Sequence, residues 1–326
     1  MSFSSQVKEE LSHTGTGARH CRIAELAAII TMCGGVQISG TEKVSVRIHT
    51  ENLQVARRCQ ILLRETFNIV CECGIRTRNV SGKQTRTVCV CVSDDSQARS
   101  LLMALHVLDA DLEPFSEEDR TDPVLLQKTC CRRAFIRGAF LASGSINDPE
   151  KSYHFEIPCL SESKAEQLCL MICSFGTDAK VTQRRKYHVV YLKDGSQIVD
   201  VLNIMNATSA MMELENVRIM HQMRGEVQRR VNCDSANINK TVAAAQKQIE
   251  DIRFLQETIG LENLPPVLQE TAALRLEQFD VSLKDLGAMM DPPVGKSGVN
   301  HRLHKLSEMA DALRDGTIPI EKENIR

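Results

Sequence analysis

Apolar residues recur at helical spacing over 3–12, 21–33, 51–66 and 95–107, while β-branched residues alternate with polar ones at 44–49, 68–75 and 85–92. The last two runs flank Ser81-Gly82 and predict a hairpin. A second series follows, with a long helix over 123–143, a strand near 153–158 and a helix over 162–174. Strands at 179–184 and 187–192 and helices over 195–205 and 209–229 complete it. Both series run helix, strands, helix, hairpin, helix, and the second starts 110 residues after the first, which predicts an internal duplication. Beyond about residue 236 the strand pattern stops. Helices fit 240–258, 266–278, 282–290 and 295–314, broken at Gly260, Pro265-Pro266, Asp280 and Asp291-Pro292-Pro293. The expected division is two halves at 1–110 and 111–230, a polar linker at 231–245, and an all-helical module at 246–326.

The length of 326 residues fits about two domains, and 42% apolar with 25% charged residues is globular composition. The longest near-apolar run, Leu26 to Val36, is about half of the roughly 20 residues a membrane span needs. The opening MSFSSQVKEE carries acids and no apolar stretch, so no secretory signal and no membrane association are expected, and the expected location is the cytoplasm. Thirteen cysteines then predict reduced thiols rather than a disulfide framework. Cys71-x-Cys73 and Cys89-x-Cys91 stand in the two strands of the hairpin, where alternate residues share a face, so four thiols could meet and bind zinc. Zinc knuckles usually space their cysteines by two residues. The preferred reading is therefore small apolar side chains filling a buried face, with no metal and no cofactor assigned.

Forty Lys and Arg against forty-two Asp and Glu give a net charge of −2, an average of opposites. The connector at 109–122 holds seven acids and one arginine, whereas 76–86, 128–137, 184–186, 224–230 and 296–305 are basic. A phosphate meets the field within a Debye length of about 8 Å, so the total does not exclude a nucleic-acid binder. Arg76, Arg78, Lys83 and Arg86 in one hairpin and Arg184, Arg185 and Lys186 in its counterpart are either secondary DNA contacts or solvated turns.

The helices that open the two series carry the first chemical signal. LAAIITMCGGV, Leu26 to Val36, and IRGAFLASGSI, Ile136 to Ile146, both resemble the LAGLIDADG motif of homing endonucleases. That resemblance implies two helices packed along a pseudo-twofold axis, with Ala27, Ala28, Gly138 and Ala142 permitting close approach and Gly34 and Gly144 ending the helices. In that family an acid just before the final glycine of each copy holds divalent metal for DNA cleavage, because hard cations want anionic oxygen. Cys33 and Ser143 occupy those positions here. The expectation is a retained scaffold with no catalytic residues; an active metal-dependent nuclease using other ligands is the enzyme alternative.

Residues 281–314 have the form of a helix-turn-helix. Ser282 and Asp285 make a capping-box-like start, Leu283, Leu286 and Met290 give the first helix a buried stripe, and Val294, Val299, Leu303 and Leu306 do so for the second. Lys296, Ser297, Asn300, His301, Arg302 and Lys305 are left for the outer face, with no acid between Asp291 and Glu308. Arg and Lys suit guanine edges and phosphate, and Asn suits adenine. An ordinary solvated helix would interleave acids.

With SFSSQVKEEL, RRAFIRGAFLASGSIND, QRRVNCDSANINKTV, LPPVLQETAALRLE and GKSGVNHRLHKL, the whole chain resembles the WhiA regulators of Gram-positive bacteria. The resemblance implies an α+β fold: a pseudo-twofold LAGLIDADG endonuclease-like domain of two α-β-β-α-β-β-α halves, then an all-α helix-turn-helix domain. It also implies a sequence-specific regulator of cell division, chromosome segregation and, in sporulating relatives, sporulation. The implied partner is double-stranded DNA, with a nucleoid association; two motifs in one chain remove the need for a dimer, so a monomer is expected. A WhiB-type iron–sulfur partner, as in some actinobacterial members, is implied in the same way, and a cysteine-based metal or redox sensor stays open as an alternative.

Overall fold

The computed structural model describes the chain except residues 1, 16, 39–42, 81–82, 110, 112, 115–118 and 317–326 and the side chains of 78–80 and 83–85. Two compact units emerge, Met1–Gln222 and Met223–Arg326.

In the first unit, α1 (Phe3–His13) is capped by Ser2 and buries Phe3, Val7 and Leu11. The first half then runs α2 (Arg19–Cys33), β1 (Gly34–Ile38), β2 (Val44–Thr50), α3 (Leu53–Phe67), β3 (Glu72–Val80), β4 (Lys83–Val92) and α4 (Asp95–Ala104). The second runs α5 (Thr129–Ser143), β5 (Ser145–Ile146), β6 (Phe155–Cys159), α6 (Glu162–Cys173), β7 (Lys180–Arg184), β8 (Tyr187–Leu192) and α7 (Gly195–Met205). Each half makes a four-stranded antiparallel sheet, ordered β1-β2-β4-β3 and β5-β6-β8-β7. The identical order realises the two α-β-β-α-β-β-α halves. The helix expected over 123–143 is shorter: Pro123 and the Asp122 cap start a separate 3-10 turn, Pro123–Leu126, before α5.

α2 and α5 cross at the centre of the unit. Both are buried on nearly every side, as a core helix must be when it is apolar all round. The crossing is close because Gly138 has no side chain: a Cβ there would stand 2.5 Å from the Glu25 carbonyl oxygen and 2.9 Å from Ala28 Cβ. Gly34 and Gly144 end the two helices as expected, but in extended rather than left-handed backbone. Space demands them, since an added Cβ would lie 2.5 Å from Ile30 O or within the Phe140 ring's contact distance. Val46, Ile48, Val90 and Val92 bury one face of the first sheet, Ile157, Cys159, Val190 and Leu192 one face of the second. Phe140 stacks on Phe155 with ring centroids 5.3 Å apart.

The crossing also buries charge. The Glu25 carboxylate accepts from Arg58 Nε at 2.7 Å through Oε1 and from Arg58 Nη2 at 3.0 Å through Oε2. Arg137 Nη2 and Nε donate to the same Oε2 at 2.7 and 3.2 Å. The guanidinium groups also reach the carbonyls of Thr14 and Met205. One buried acid and two buried arginines thereby join α2, α3 and α5.

α8 (Thr208–Thr258) crosses the division between the units as one unbroken helix. The segment 231–245, expected as a linker, is helical within it. No Gly or Pro lies between Gly225 and Gly260. The Asn, Asp and Ser residues that suggested a break cost a helix less than about 0.7 kcal/mol each, against about 3 for proline. The second unit adds α9 (Pro266–Glu277), α10 (Leu283–Ala288) and α11 (Lys296–Arg314) around a core that includes Ile252, Leu255, Leu268, Leu286, Val299 and Leu303.

Candidate nucleic-acid interface

α10 and α11 form the expected helix-turn-helix. Ser282 Oγ accepts from Asp285 N at 3.3 Å and donates to Asp285 Oδ2 at 2.6 Å, closing the first turn of α10. Val294 N donates to Gly287 O at 2.9 Å, bringing the turn back onto α10. Only glycine fits there, because a Cβ on Gly287 would fall 2.0 Å from Val294 O. Val299, Leu303, Leu306 and Ala310 then bury one face of α11, which fixes what the rest of the helix presents.

Lys296, Ser297, Asn300, His301 and Lys305 are all exposed. Lys296 and Asn300 lie to one side, lining a groove of about 460 Å³ with Thr241, Ala244 and Gln248 of α8. Ser297, His301 and Lys305 stand opposite the buried stripe, joined by His304, which sequence reading did not single out and which pairs with Glu308 at 3.2 Å. Arg302 is different. It is half-buried against α9, with Nη1 3.7 Å from Glu270 Oε2 and 3.5 Å from Thr271 Oγ1 and Met290 Sδ.

On the first sheet, alternation puts Arg47, His49, Arg76, Thr87 and Cys89 on the face away from the helices, where they line a cavity of about 550 Å³. Arg76 is thus one of the predicted hairpin cations on that face. Arg86 takes the parity of Val88 and Val90 instead, and the Arg78 and Lys83 side chains lie outside the described residues. Arg47 and His49 went unnoticed in the sequence, although they fall between the buried Val46, Ile48 and Thr50. The second hairpin is not its electrostatic equal. Arg184 Nη1 donates to Glu156 Oε2 at 2.7 Å, and His154 Nε2 lies 3.1 Å from that oxygen. Arg185 occupies the turn at φ 54°, and Lys186 Nζ sits 5.2 Å from the Tyr187 ring centroid.

At the positions of the endonuclease acids, Cys33 Sγ donates to Ile29 O at 3.3 Å and Ser143 Oγ to Pro158 O at 3.0 Å. Burial pushes the Cys33 thiol up to about 12, with Lys8 opposing the shift. Both groups therefore act as donors to backbone carbonyls. Among the described residues no cluster of three metal-type ligands forms around them.

The four hairpin thiols do not share a face. Cys73 pairs with Val90 and takes a hydrogen bond from Gln60 Nε2 of α3 at 2.9 Å, on the helix-covered side. Cys89 and Cys91 point the other way, Cys91 Sγ meeting Ser93 Oγ at 3.3 Å. Cys89 and Cys91 share a strand face as expected, but Cys71 precedes β3, and the opposite parity of Cys73 could be read only from the register Gly74↔Cys89. A different thiol group is assembled instead at the starts of α2 and α5, where His20, Cys21, Cys130 and Cys131 converge. Its sequence signal was present: the two dipeptides are separated by the 110 residues that separate Gly34 from Gly144.

Three family models match in order along the chain: the WhiA N-terminal LAGLIDADG-like domain at 19–108, the WhiA LAGLIDADG-like domain at 132–224, and the WhiA C-terminal HTH domain at 227–310. The probable cell division protein WhiA of Lachnoclostridium phytofermentans is 51% identical over 96% of this chain and 100% of its own length. That of Alkaliphilus oremlandii is 44% identical over 98% and 99%. Full-length DUF199/WhiA from Thermatoga maritima shares the fold, with a TM-score of 0.60 at 23% identity over 95% of this chain and 98% of that one. By domain order and by identity over its whole length, the chain belongs to the WhiA family.

Proposed function

We propose that this chain is a sequence-specific DNA-binding regulator of cell division and chromosome segregation, and of sporulation where that occurs, in which α11 reads the DNA and the LAGLIDADG-like scaffold does no cleavage. One observation carries the reading: α11 presents Ser297, His301, His304 and Lys305 on its free face, with Lys296 and Asn300 beside them, and no acid precedes Glu308. Hydroxyl, imidazole, amide and ammonium groups are the donors and acceptors that meet base edges and phosphates in a major groove. The names of the relatives as probable cell division proteins support the regulatory setting. The Arg47, His49 and Arg76 face of the first sheet is a secondary phosphate surface in this reading, and association with the nucleoid follows from DNA binding. The four expected units, 1–110, 111–230, 231–245 and 246–326, then act as two scaffold halves, a helical connection and the reader.

Selection of short duplexes from a random library by the full chain tests the proposal. A single enriched motif is expected, with His301→Ala or Asn300→Ala losing roughly 1–3 kcal/mol, about fivefold to 150-fold, if that residue reads a base. Enrichment without any motif, or an unchanged motif and affinity after both substitutions and Lys305→Ala, overturns it.

A further inference from the structure

The first turns of α2 and α5 bring His20, Cys21, Cys130 and Cys131 together, with all their ligand atoms within 4.8 Å of one another. His20 Nδ1 lies 3.2 Å from Cys131 Sγ, 3.3 Å from Cys21 Sγ and 4.0 Å from Cys130 Sγ. Tetrahedral zinc, with Zn–S near 2.3 Å and Zn–N near 2.0–2.1 Å, holds such donors roughly 3.6 Å apart, so these separations bracket what the ion would impose. We propose that His20, Cys21, Cys130 and Cys131 bind one zinc ion in a closed, four-ligand site that ties the two halves of the first unit together at the head of the helix crossing.

Several independent features favour this. Cys21 and Cys131 are buried against Ala24 and Ala134, while His20 and Cys130 are exposed, which gives a walled site with an entry path. Neither α2 nor α5 has a side-chain N-cap, the cap positions being Ala18 and Lys128. Their open N–H groups and the positive ends of both helices would stabilise the negative charge of zinc-bound thiolates. Three soft sulfurs and one imidazole, without a carboxylate, select zinc over magnesium, manganese or calcium. Four protein ligands leave no open position, so the ion would be structural. The group is about 20 Å along the helices from Cys33 and Ser143, and is therefore separate from the endonuclease metal position. Without metal, burial and the neighbouring Cys130 thiol hold Cys21 up at about 12. Binding Zn²⁺ converts three thiols to thiolates and releases about three protons, so affinity rises with pH.

The test is elemental analysis of the full chain purified under reductant and without chelator. About one equivalent of zinc is expected, exchangeable for cobalt(II) that shows the visible bands of tetrahedral thiolate coordination. Cys131→Ser and, as a second variant at an exposed position outside the core, Cys130→Ser should lose the metal. A variant with Cys71, Cys73, Cys89 and Cys91 all changed to Ser should keep it. Wild-type protein that takes up no zinc after reconstitution overturns the proposal, as does unchanged zinc in both single variants. Thiol trapping that finds a disulfide joining the two dipeptides in freshly lysed cells would overturn it in favour of a redox link.

Discussion

Replacing Glu25 with glutamine tests what holds the helix crossing. The Arg58 and Arg137 side chains are 2% and 5% exposed, and the Glu25 carboxylate meets both. Glutamine preserves the size and one acceptor but leaves two buried cations without a counter-charge. Removing one partner of a buried pair costs about 3–5 kcal/mol. In a unit of this size each kcal/mol shifts the melting temperature by about 2–4 °C, so a fall of roughly 6–20 °C is expected. The sequence supplies a clean probe: it has no tryptophan, and its three tyrosines, Tyr153, Tyr187 and Tyr191, all lie in the first unit. The tyrosine band in the near-ultraviolet circular dichroism of the full chain therefore follows that unit alone during urea or heat unfolding. The triple replacement Glu25→Leu, Arg58→Met, Arg137→Met should recover most of the loss, because an apolar set of similar volume avoids the desolvation of all three charges. A loss below about 1 kcal/mol for Glu25→Gln, or a triple variant as unstable as the single one, would refute the argument from uncompensated charge.

Other expectations concern the second unit and the positions that match the endonuclease acids. Gly287→Ala should destabilise the helix-turn-helix by about 1–3 kcal/mol, since the new Cβ must push Val294 O away from 2.0 Å; far-ultraviolet melting of the full chain reads this. Arg302→Ala should cost at most about 1 kcal/mol of stability through its half-exposed pair with Glu270, whereas Lys305→Ala should leave stability unchanged and weaken DNA binding, a contrast that melting and fluorescence anisotropy resolve together. Supercoiled plasmid incubated with Mg²⁺ or Mn²⁺ should stay intact, and nicking lost on changing Cys33 or Ser143 would reinstate a nuclease. Cys33, its thiol pushed up to about 12 by burial, should alkylate far more slowly at mildly alkaline pH than the exposed Cys233, as peptide mass mapping would record.

Local patterns carried most of the fold. The small residues of α2 and α5, the terminal glycines and the capped start of α10 depend on spacings of a few residues, and each is where sequence placed it. β1 and β5 escaped because Gly34-Gly35 and the two-residue Ser145–Ile146 give no alternation to read. The reach of α8 escaped because polar composition suggested a break that nothing in the backbone enforces. At the interface, exposure on α11 followed from its apolar stripe, but the turning of Arg302 toward Glu270 depends on where α9 packs. The buried Glu25 network and the His20–Cys131 group belong to the same class. They join residues about 110 apart, and only the crossing of two helices makes them neighbours.

The crossing also decides which sequence can be whose partner. Under the 110-residue offset Gly138 corresponds to Ala28, Glu25 to Phe135 and Arg137 to Ala27. Two copies of the first half would put Ala28 where only a hydrogen fits against the Glu25 carbonyl. Two copies of the second would bury two Arg137 guanidiniums facing phenylalanine. One self-pairing is closed by volume and the other by charge, leaving the mixed pair. The duplicated sequence has thereby lost the ability to work as a symmetric dimer of either half, and two separately expressed halves should find each other and ignore themselves.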